Sequence, residues 1–203
     1  MTFDDKASVP AVSPDAAGAR VAPACVGAFA LVAAVWFVLD RASKAFFDQF
    51  TAGQLIAGPY FGLVQFRLVH NTGAAWGMFD DSTFLLGITS LVVCAAIVAL
   101  FALFPRIAGH APTMLETCAL ALVFSGGVGN AVDRFAQGYV VDFIETAFMD
   151  FPVFNVADIG VTCGFALLVI GYLLATRADA GDAGEGERNA SGRGDAGEGG
   201  GHE

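Results

Sequence analysis

Two aspartates, Asp142 and Asp158, are the residues of this chain best suited to acid/base chemistry. Asp142 lies between Val140-Val141 and Phe143-Ile144, a strand-like apolar setting with no adjacent cation, where burial would raise the pKa of its carboxyl group. Asp158 follows Asn155, which fits a helix N-cap, so Asp158 takes the third helical position. Like charges close together cannot both ionise, so two such carboxylates on one face suit general acid/base hydrolysis. A helix cap alone would also explain Asn155 and Asp158.

Other polar groups accompany the aspartates near the ends of apolar runs. Asp40 and Lys44 are spaced i,i+4 and can pair on one helix face, although a charged helix end with snorkelling side chains explains them equally well. Asn71 offers a donor and an acceptor for a peptide backbone or an oxyanion, and a glycine turn is the alternative interpretation.

A third cluster has the sequence GGVGNAVDR at residues 126–134 and contains Gly127. Its polar members Asn130, Asp133 and Arg134 are spaced i, i+3, i+4 on one face of a helix end. We predict that Asp133 and Arg134 form a structural ion pair.

Other hydrolytic chemistries lack their residues. The three histidines, His70, His110 and His202, do not form the H-E-x-x-H spacing of a metallopeptidase, and no G-x-S-x-G sequence occurs. The four cysteines show no C-x-x-C spacing and are predicted to be small buried hydrophobes, so we expect neither a disulfide framework nor a zinc site. Aspartates are left as the acid/base candidates, with no metal and no cofactor.

The composition is that of a membrane protein. Of 203 residues, 56% are hydrophobic and 15% are charged, whereas soluble chains carry about 25% charged residues. The mean hydropathy is +0.64. Half of the net charge of -10 comes from the chain ends, and the absence of a basic patch argues against nucleic acid as a partner.

Four apolar runs predict four membrane spans, at residues 23–39, 82–104, 113–132 and 156–176, with Pro105 closing the second. Residues 63–69 alternate in part and predict a short extended segment outside the membrane. We divide the chain into a disordered lead at 1–22, a four-span domain at 23–176 and a disordered acidic, glycine-rich tail at 177–203. The polar clusters all fall at the same end of the spans, where ionisable residues are costly and usually functional. Charge does not fix the orientation.

Five short motifs, in this order, resemble those of the bacterial lipoprotein signal peptidase (signal peptidase II) family. They are LDRASK at 39–44, NTGAAW at 71–76, GGVGNAVDR at 126–134, VVDF at 140–143 and FNVAD at 154–158. The resemblance covers roughly residues 30–175, and the two ends of the chain lie outside it.

The resemblance implies an all-α membrane protein with four transmembrane helices and a small periplasmic β-cradle, in the bacterial inner membrane. Both termini would be cytoplasmic, and the active site would lie at the periplasmic face. It implies a monomeric aspartic endopeptidase that meets membrane lipids and cleaves prolipoproteins on the amino side of a diacylglyceryl-modified cysteine. The aspartyl dyad falls on Asp142 and Asp158. Positions that bind substrate or support the site fall on Asp40, Lys44, Asn71, Gly127, Asn130, Asp133, Arg134 and Asn155.

Two hypotheses from other classes remain open on the residues alone. The chain could be a small transporter whose carboxylates relay protons, although relays are expected near the middle of a span. It could also be a structural subunit in which the polar groups only terminate helices.

Overall fold

The computed structural model describes residues 20–73 and 82–174. Most of the lead predicted at 1–22, the tail predicted at 177–203, and Trp76 lie outside the described residues.

Four long apolar helices form the body of the protein. They are α1 (Pro23–Phe47), α2 (Thr83–Ala108), α3 (Met114–Gln137) and α4 (Val156–Leu174), and each is long and apolar enough to cross a membrane. Many large apolar side chains on their outer faces are exposed, such as Leu31 at 66% and Phe165 at 65%, as expected of surfaces that face lipid. The prediction of four spans is therefore confirmed.

Three helices extend beyond their predicted ends. The first continues past Asp40 to Phe47, because its charged residues find partners inside the bundle instead of ending the helix. The second continues through Pro105 to Ala108, since a proline this close to a helix end removes a single backbone hydrogen bond and membrane helices tolerate that loss. The third begins with a capping box between Thr113 and Glu116 and runs to Gln137, five residues past the predicted end.

A small antiparallel sheet closes one end of the bundle. Its strands, in the order β1-β2-β3, are β1 (Leu55–Tyr60), β2 (Val64–Asn71) and β3 (Val140–Thr146). The segment predicted at 63–69 belongs to β2, and the strand setting predicted for Asp142 is confirmed. The sheet rests on the end of α1, where the ring of Phe47 stacks on that of Phe143 with centroids 4.1 Å apart. The fold is thus the predicted four-helix membrane protein with a small sheet.

Glycines allow α4 to pack closely on its neighbours. A Cβ atom at Gly126 of α3 would collide with the carbonyl oxygen of Ala157, and one at Gly164 would collide with that of Ala119. The Trp36 ring of α1 also covers Gly160 of α4, and its Nε1 donates to the Val156 carbonyl at 3.0 Å. Small residues at helix interfaces are a common means of packing in membranes, where lipid is as apolar as the side chains. This packing holds the start of α4, and therefore Asp158, against α3.

The substitution Gly126→Ala should lower the stability of the protein by about 1–3 kcal/mol, because a backbone carbonyl cannot move aside as a flexible side chain can. Thermal unfolding of the purified protein in detergent measures the loss. Gly27→Ala is the matched control, since a Cβ atom there meets no atom within 4 Å. Equal unfolding temperatures for the two variants would contradict the packing described here.

Candidate active site

A pocket of about 510 Å³ opens between β3, α3 and α4, at the end of the bundle that carries the sheet. Both predicted aspartates line it, Asp142 from β3 and Asp158 from the first turn of α4. Asn71, Asn130 and Arg134 also line it. Asn71 and Asp158, which lie 87 positions apart in the chain, therefore share one cavity.

Asp142 is almost completely buried, with 2% of its surface exposed. Its two carboxylate oxygens each accept one amide hydrogen bond. The Asn155 Nδ2 donates to Oδ1 at 2.6 Å, and the Asn71 Nδ2 donates to Oδ2 at 2.8 Å. Asn71 is itself held by the Gly73 N–H, which donates to its Oδ1 at 3.0 Å, so its amide can present only the Nδ2 group to the carboxylate.

Burial, followed by the negative charge of Asp158, raises the pKa of Asp142 from 3.8 to about 7. The hydrogen bonds from Asn71 and Asn155 and the positive charge of Lys44 oppose the rise but do not cancel it. The carboxyl group of Asp142 therefore holds its proton to a much higher pH than an exposed aspartate does. This agrees with the pKa direction predicted from its apolar sequence neighbours.

Asp158 has a different environment, at the start of a helix. The Asn155 Oδ1 accepts a hydrogen bond from the Asp158 N–H at 3.0 Å, and the Asp158 Oδ2 accepts one from the Asn155 N–H at 3.1 Å. This reciprocal pair confirms the predicted N-cap. The other oxygen of Asp158 accepts a hydrogen bond from Asn130 at 2.8 Å. The cap does not occupy the whole carboxylate, so the same side chain caps a helix and lines the pocket.

Asn155 and Asn130 connect the two aspartates. The buried Asn155 Nδ2 donates both to Asp142 and, at 3.1 Å, to the Asn130 Oδ1. Asn130 in turn donates to Asp158. The two carboxylates are thus fixed relative to each other by one pair of amides, each of which has a single orientation that satisfies its partners.

A buried ion network lies directly behind these amides. The Lys44 ammonium group is 1% exposed and contacts three oxygens, those of Asp40 at 3.0 Å, Asp133 at 2.9 Å and Asn130 at 2.8 Å. All three of its N–H groups therefore have partners. Asp40 also accepts a hydrogen bond from the Ala157 N–H at 3.0 Å, which ties α1 to the first turn of α4. The predicted pairing of Asp40 with Lys44 is confirmed, and the snorkelling alternative is wrong.

Asp133 and Arg134 do not form the predicted ion pair. Asp133 is fully buried and pairs with Lys44 and Arg41 of α1, whereas Arg134 points into the pocket. Adjacent residues of a helix point about 100° apart, so the two side chains face different neighbours. Arg134 donates to the carbonyls of Asn130 and Gly73, both at 3.4 Å.

Other predictions for the clusters need correction. Gly127 lies away from the pocket, where a Cβ atom would collide with the Cys94 sulfur of α2. Cys25 and Cys94 are buried as predicted, but Cys118 is only partly buried and Cys163 is exposed. Across residues 20–73 and 82–174, no three His, Cys, Asp or Glu side chains are arranged to hold a metal ion.

Sequence reasoning missed one wall of the pocket. It is formed by residues 151–154 of the connection between β3 and α4, together with Ile159, Thr162 and Cys163 of α4. Thr162 and Cys163 follow Asp158 and Ile159 by four residues, so helical periodicity from Asp158 was the signal that could have found them. The connecting residues are held by the backbone pairing of Phe154 with Ile144 of β3. No pattern of neighbouring residues in the sequence predicts this pairing.

The comparison with known protein families agrees with this geometry. A family model described as signal peptidase (SPase) II matches residues 32–174, which is more than half of the chain. This chain belongs to the signal peptidase II family.

Relatives and solved structures support the assignment. The lipoprotein signal peptidase of Nostoc punctiforme is 35% identical over 155 residues, which cover 75% of this chain and 94% of that protein. That of Lactococcus lactis subsp. cremoris MG1363 is 41% identical over 106 residues, which cover 52% of this chain and 66% of the relative. Two solved structures of bacterial membrane enzymes, each 29% identical, superpose with TM-scores of 0.66 and 0.64 and cover 74% and 73% of this chain.

Removing the buried ammonium group should destabilise the protein strongly. Lys44→Met leaves Asp40 without its cation and removes one of the two cations of Asp133, and breaking a buried pair costs about 3–5 kcal/mol. Arg67→Gln is the control, because the Arg67–Glu145 pair is partly exposed and such pairs contribute about 0–1 kcal/mol. Thermal unfolding in detergent compares the two, and a loss no larger for Lys44→Met than for the control would contradict the network.

Asp142 should make the stability of the protein depend on pH. Its pKa is higher in the folded chain, so its contribution is fully present below about pH 4 and is lost as the pH rises through about 7. At about 1.4 kcal/mol per pKa unit, the change from 3.8 to about 7 amounts to roughly 4 kcal/mol. The unfolding temperature of the wild type should therefore fall between about pH 4 and pH 8.

The variant Asp142→Asn cannot ionise at this position, so its unfolding temperature should fall less over the same range. Asp150→Asn is the matched control, because Asp150 lies exposed in the connection between β3 and α4. Identical pH profiles for Asp142→Asn and the wild type would show that Asp142 keeps its ordinary pKa.

Proposed function

We propose that this protein is an aspartic endopeptidase that cleaves signal peptides from prolipoproteins, with Asp142 and Asp158 as its acid/base pair. Membership of the signal peptidase II family supports the substrate class. The observation that carries the mechanism is the presence of two carboxyl groups in one pocket with contrasting environments, one buried on a strand and one at a helix N-terminus. That contrast is what allows one group to hold a proton while the other is ionised.

In the proposed reaction, Asp158 is the ionised base and Asp142 holds the shared proton. Asp158 takes a proton from a water molecule while the water oxygen attacks the scissile carbonyl carbon. Asp142 donates its proton to the carbonyl oxygen. The tetrahedral intermediate collapses when the peptide nitrogen receives the proton held by Asp158, which breaks the C–N bond. The hydroxyl proton then returns to Asp142. No metal or organic cofactor takes part.

Two asparagines have a defined task in this scheme. Asn71 and Asn155 hold the two oxygens of Asp142, and Asn155 also fixes the backbone at Asp158. Their hydrogen bonds limit how far burial raises the pKa of Asp142, so that it can both hold and release a proton near neutral pH. We therefore assign them to supporting and orienting the pair.

The proposed substrate carries a diacylglyceryl group on the cysteine that follows the scissile bond, and the bond on the amino side of that cysteine is cleaved. The apolar wall of the pocket, with Phe151 and Ile159, offers a surface for the signal segment and the acyl chains. The proposed enzyme acts as a monomer in the inner membrane, with the pocket at the periplasmic face and both termini in the cytoplasm.

The variants Asp142→Asn and Asp158→Asn should each lower cleavage of a diacylglyceryl-modified precursor by at least about a hundredfold, since each removes one partner of the proton transfer. Both should remain folded, because asparagine has nearly the same volume as aspartate. The measurement is cleavage by the full-length protein in detergent, with unfolding temperature recorded in parallel.

Asp150→Asn, the exposed aspartate nearby, controls for the general loss of a carboxylate and should cleave like the wild type. Normal processing by either pocket variant would refute the assignment of the pair. Failure of the wild type to cleave the lipidated precursor, under conditions where it is folded, would refute the proposed substrate.

A further inference from the structure

A cluster of three side chains on the back of the sheet has no part in the scheme above. The His70 Nε2 lies 2.8 Å from the Asp48 Oδ1, and the imidazole ring stacks on the Tyr139 ring with centroids 4.0 Å apart and planes 23° apart. Asp48, His70 and Tyr139 come from three elements, the C-cap of α1, the strand β2 and the connection between α3 and β3. The cluster therefore joins α1, β2 and β3 at one point.

The cluster lies at the end of the β2–β3 ladder, next to the pocket. His70 pairs with Val141 and Asn71 with Val140, and these two pairs are the last of the ladder. Asn71 is the final residue of β2, and Tyr139 immediately precedes the first residue of β3. Successive side chains of a strand point to opposite faces, so His70 faces Asp48 and Tyr139 while Asn71 faces Asp142.

We propose that His70 is a positioning residue: by pairing with Asp48 and stacking on Tyr139, it closes the end of the ladder and keeps the Asn71 amide on Asp142. The part of this inference that concerns the reaction rests on the proposed function. Strand ends open more readily than strand centres, because fewer neighbouring hydrogen bonds hold them. An anchor at residue 70 therefore acts where the position of Asn71 is least secured by the ladder itself.

Other contacts secure the chain on the far side of Asn71. The Thr83 hydroxyl donates to the Thr72 carbonyl at 2.7 Å, and Arg134 donates to the Gly73 carbonyl. These contacts hold the backbone that leaves the strand, whereas the His70 cluster holds the strand itself against α1 and β3. The two anchors are therefore complementary, and the loss of one leaves the other intact.

The cluster contributes little to the stability of the fold. The His70 and Asp48 side chains are 33% and 32% exposed, and partly exposed polar contacts of this kind are weak. A stability role alone would therefore predict almost no effect of removing it. A positioning role predicts an effect on Asp142, which also faces Asp158 from α4, Lys44 from α1 and Arg134 from α3.

The test uses the pH profile of cleavage by the full-length protein. Asn71→Ala removes a hydrogen bond that favours ionised Asp142, so its pKa should rise and the alkaline limb of kcat should move to higher pH. His70→Ala should move the limb in the same direction by about half a pH unit and lower kcat roughly tenfold, with KM nearly unchanged. His70→Gln, which can still donate to Asp48, should restore much of the loss.

A double variant decides whether His70 acts through Asn71. In the Asn71→Ala background, His70→Ala should move the limb no further. Arg67→Gln is the matched control, because Arg67 also pairs across β2 and β3, with Glu145, but lies away from the strand end. It should leave the profile of the wild type unchanged. Additive shifts in the double variant, or a wild-type profile for His70→Ala, would overturn the proposal.

A measurement without substrate separates this proposal from the proposed function. The pH at which the unfolding temperature falls reports the ionisation of Asp142, and His70→Ala should move that fall to higher pH, as Asn71→Ala does. If the wild type is folded but fails to cleave the precursor, the proposed function fails while this shift still tests the anchor. If the unfolding temperature of His70→Ala falls at the same pH as that of the wild type, the proposed anchoring role of His70 is wrong, even if the wild type cleaves normally.

Discussion

One buried ammonium group, that of Lys44, is the interaction on which the rest of the site depends. It lies between two buried carboxylates and the Asn130 side-chain oxygen, in a part of the protein that water does not reach. Because the ammonium group occupies that oxygen, the Asn130 amide nitrogen must point at Asp158. Asn155 shares the same oxygen, and its nitrogen therefore reaches Asp142. A charge inside the helical bundle thus sets the direction of the Asn130 and Asn155 amides, which connect the two pocket aspartates.

The two carboxyl groups differ because they stand on different kinds of backbone. The strand β3 buries Asp142 and gives its carboxylate only side-chain donors, so burial dominates and its pKa rises. The start of α4 places Asp158 at a helix N-terminus, where its carboxylate accepts a hydrogen bond from the Asn155 backbone N–H. Two carboxyl groups with contrasting environments in one pocket thus follow from placing a strand end beside a helix start.

Much of this architecture can be predicted from local patterns in the sequence. Hydropathy identified four spans, the apolar neighbours of Asp142 indicated its strand and its raised pKa, and the spacing from Asn155 to Asp158 indicated the cap. The pairing of Asp133 with Arg41 could not be predicted, since the two residues lie 92 positions apart and Arg134 is adjacent in sequence. Local sequence places the ends of α1 and α3 too early for a related reason: Asp40 and Asp133 are typical of helix ends, although partners from another part of the bundle satisfy them. The part of the pocket wall formed by residues 151–154 depends on a return of the chain to β3, where Phe154 pairs with Ile144.

The partners β2 and β3 are separated in the chain by the two helices α2 and α3. During synthesis, the ribosome therefore completes both of those spans before it makes the strand that carries Asp142, and Asp158 follows at the start of the fourth span. A partly synthesised chain in the membrane therefore contains Asn71 and Asn130 before it contains Asp142 and Asp158, the aspartates that their amides contact. The order of translation thus withholds hydrolytic capacity until the bundle is whole, and it makes closure of this small sheet, a contact between distant segments, a late event in maturation.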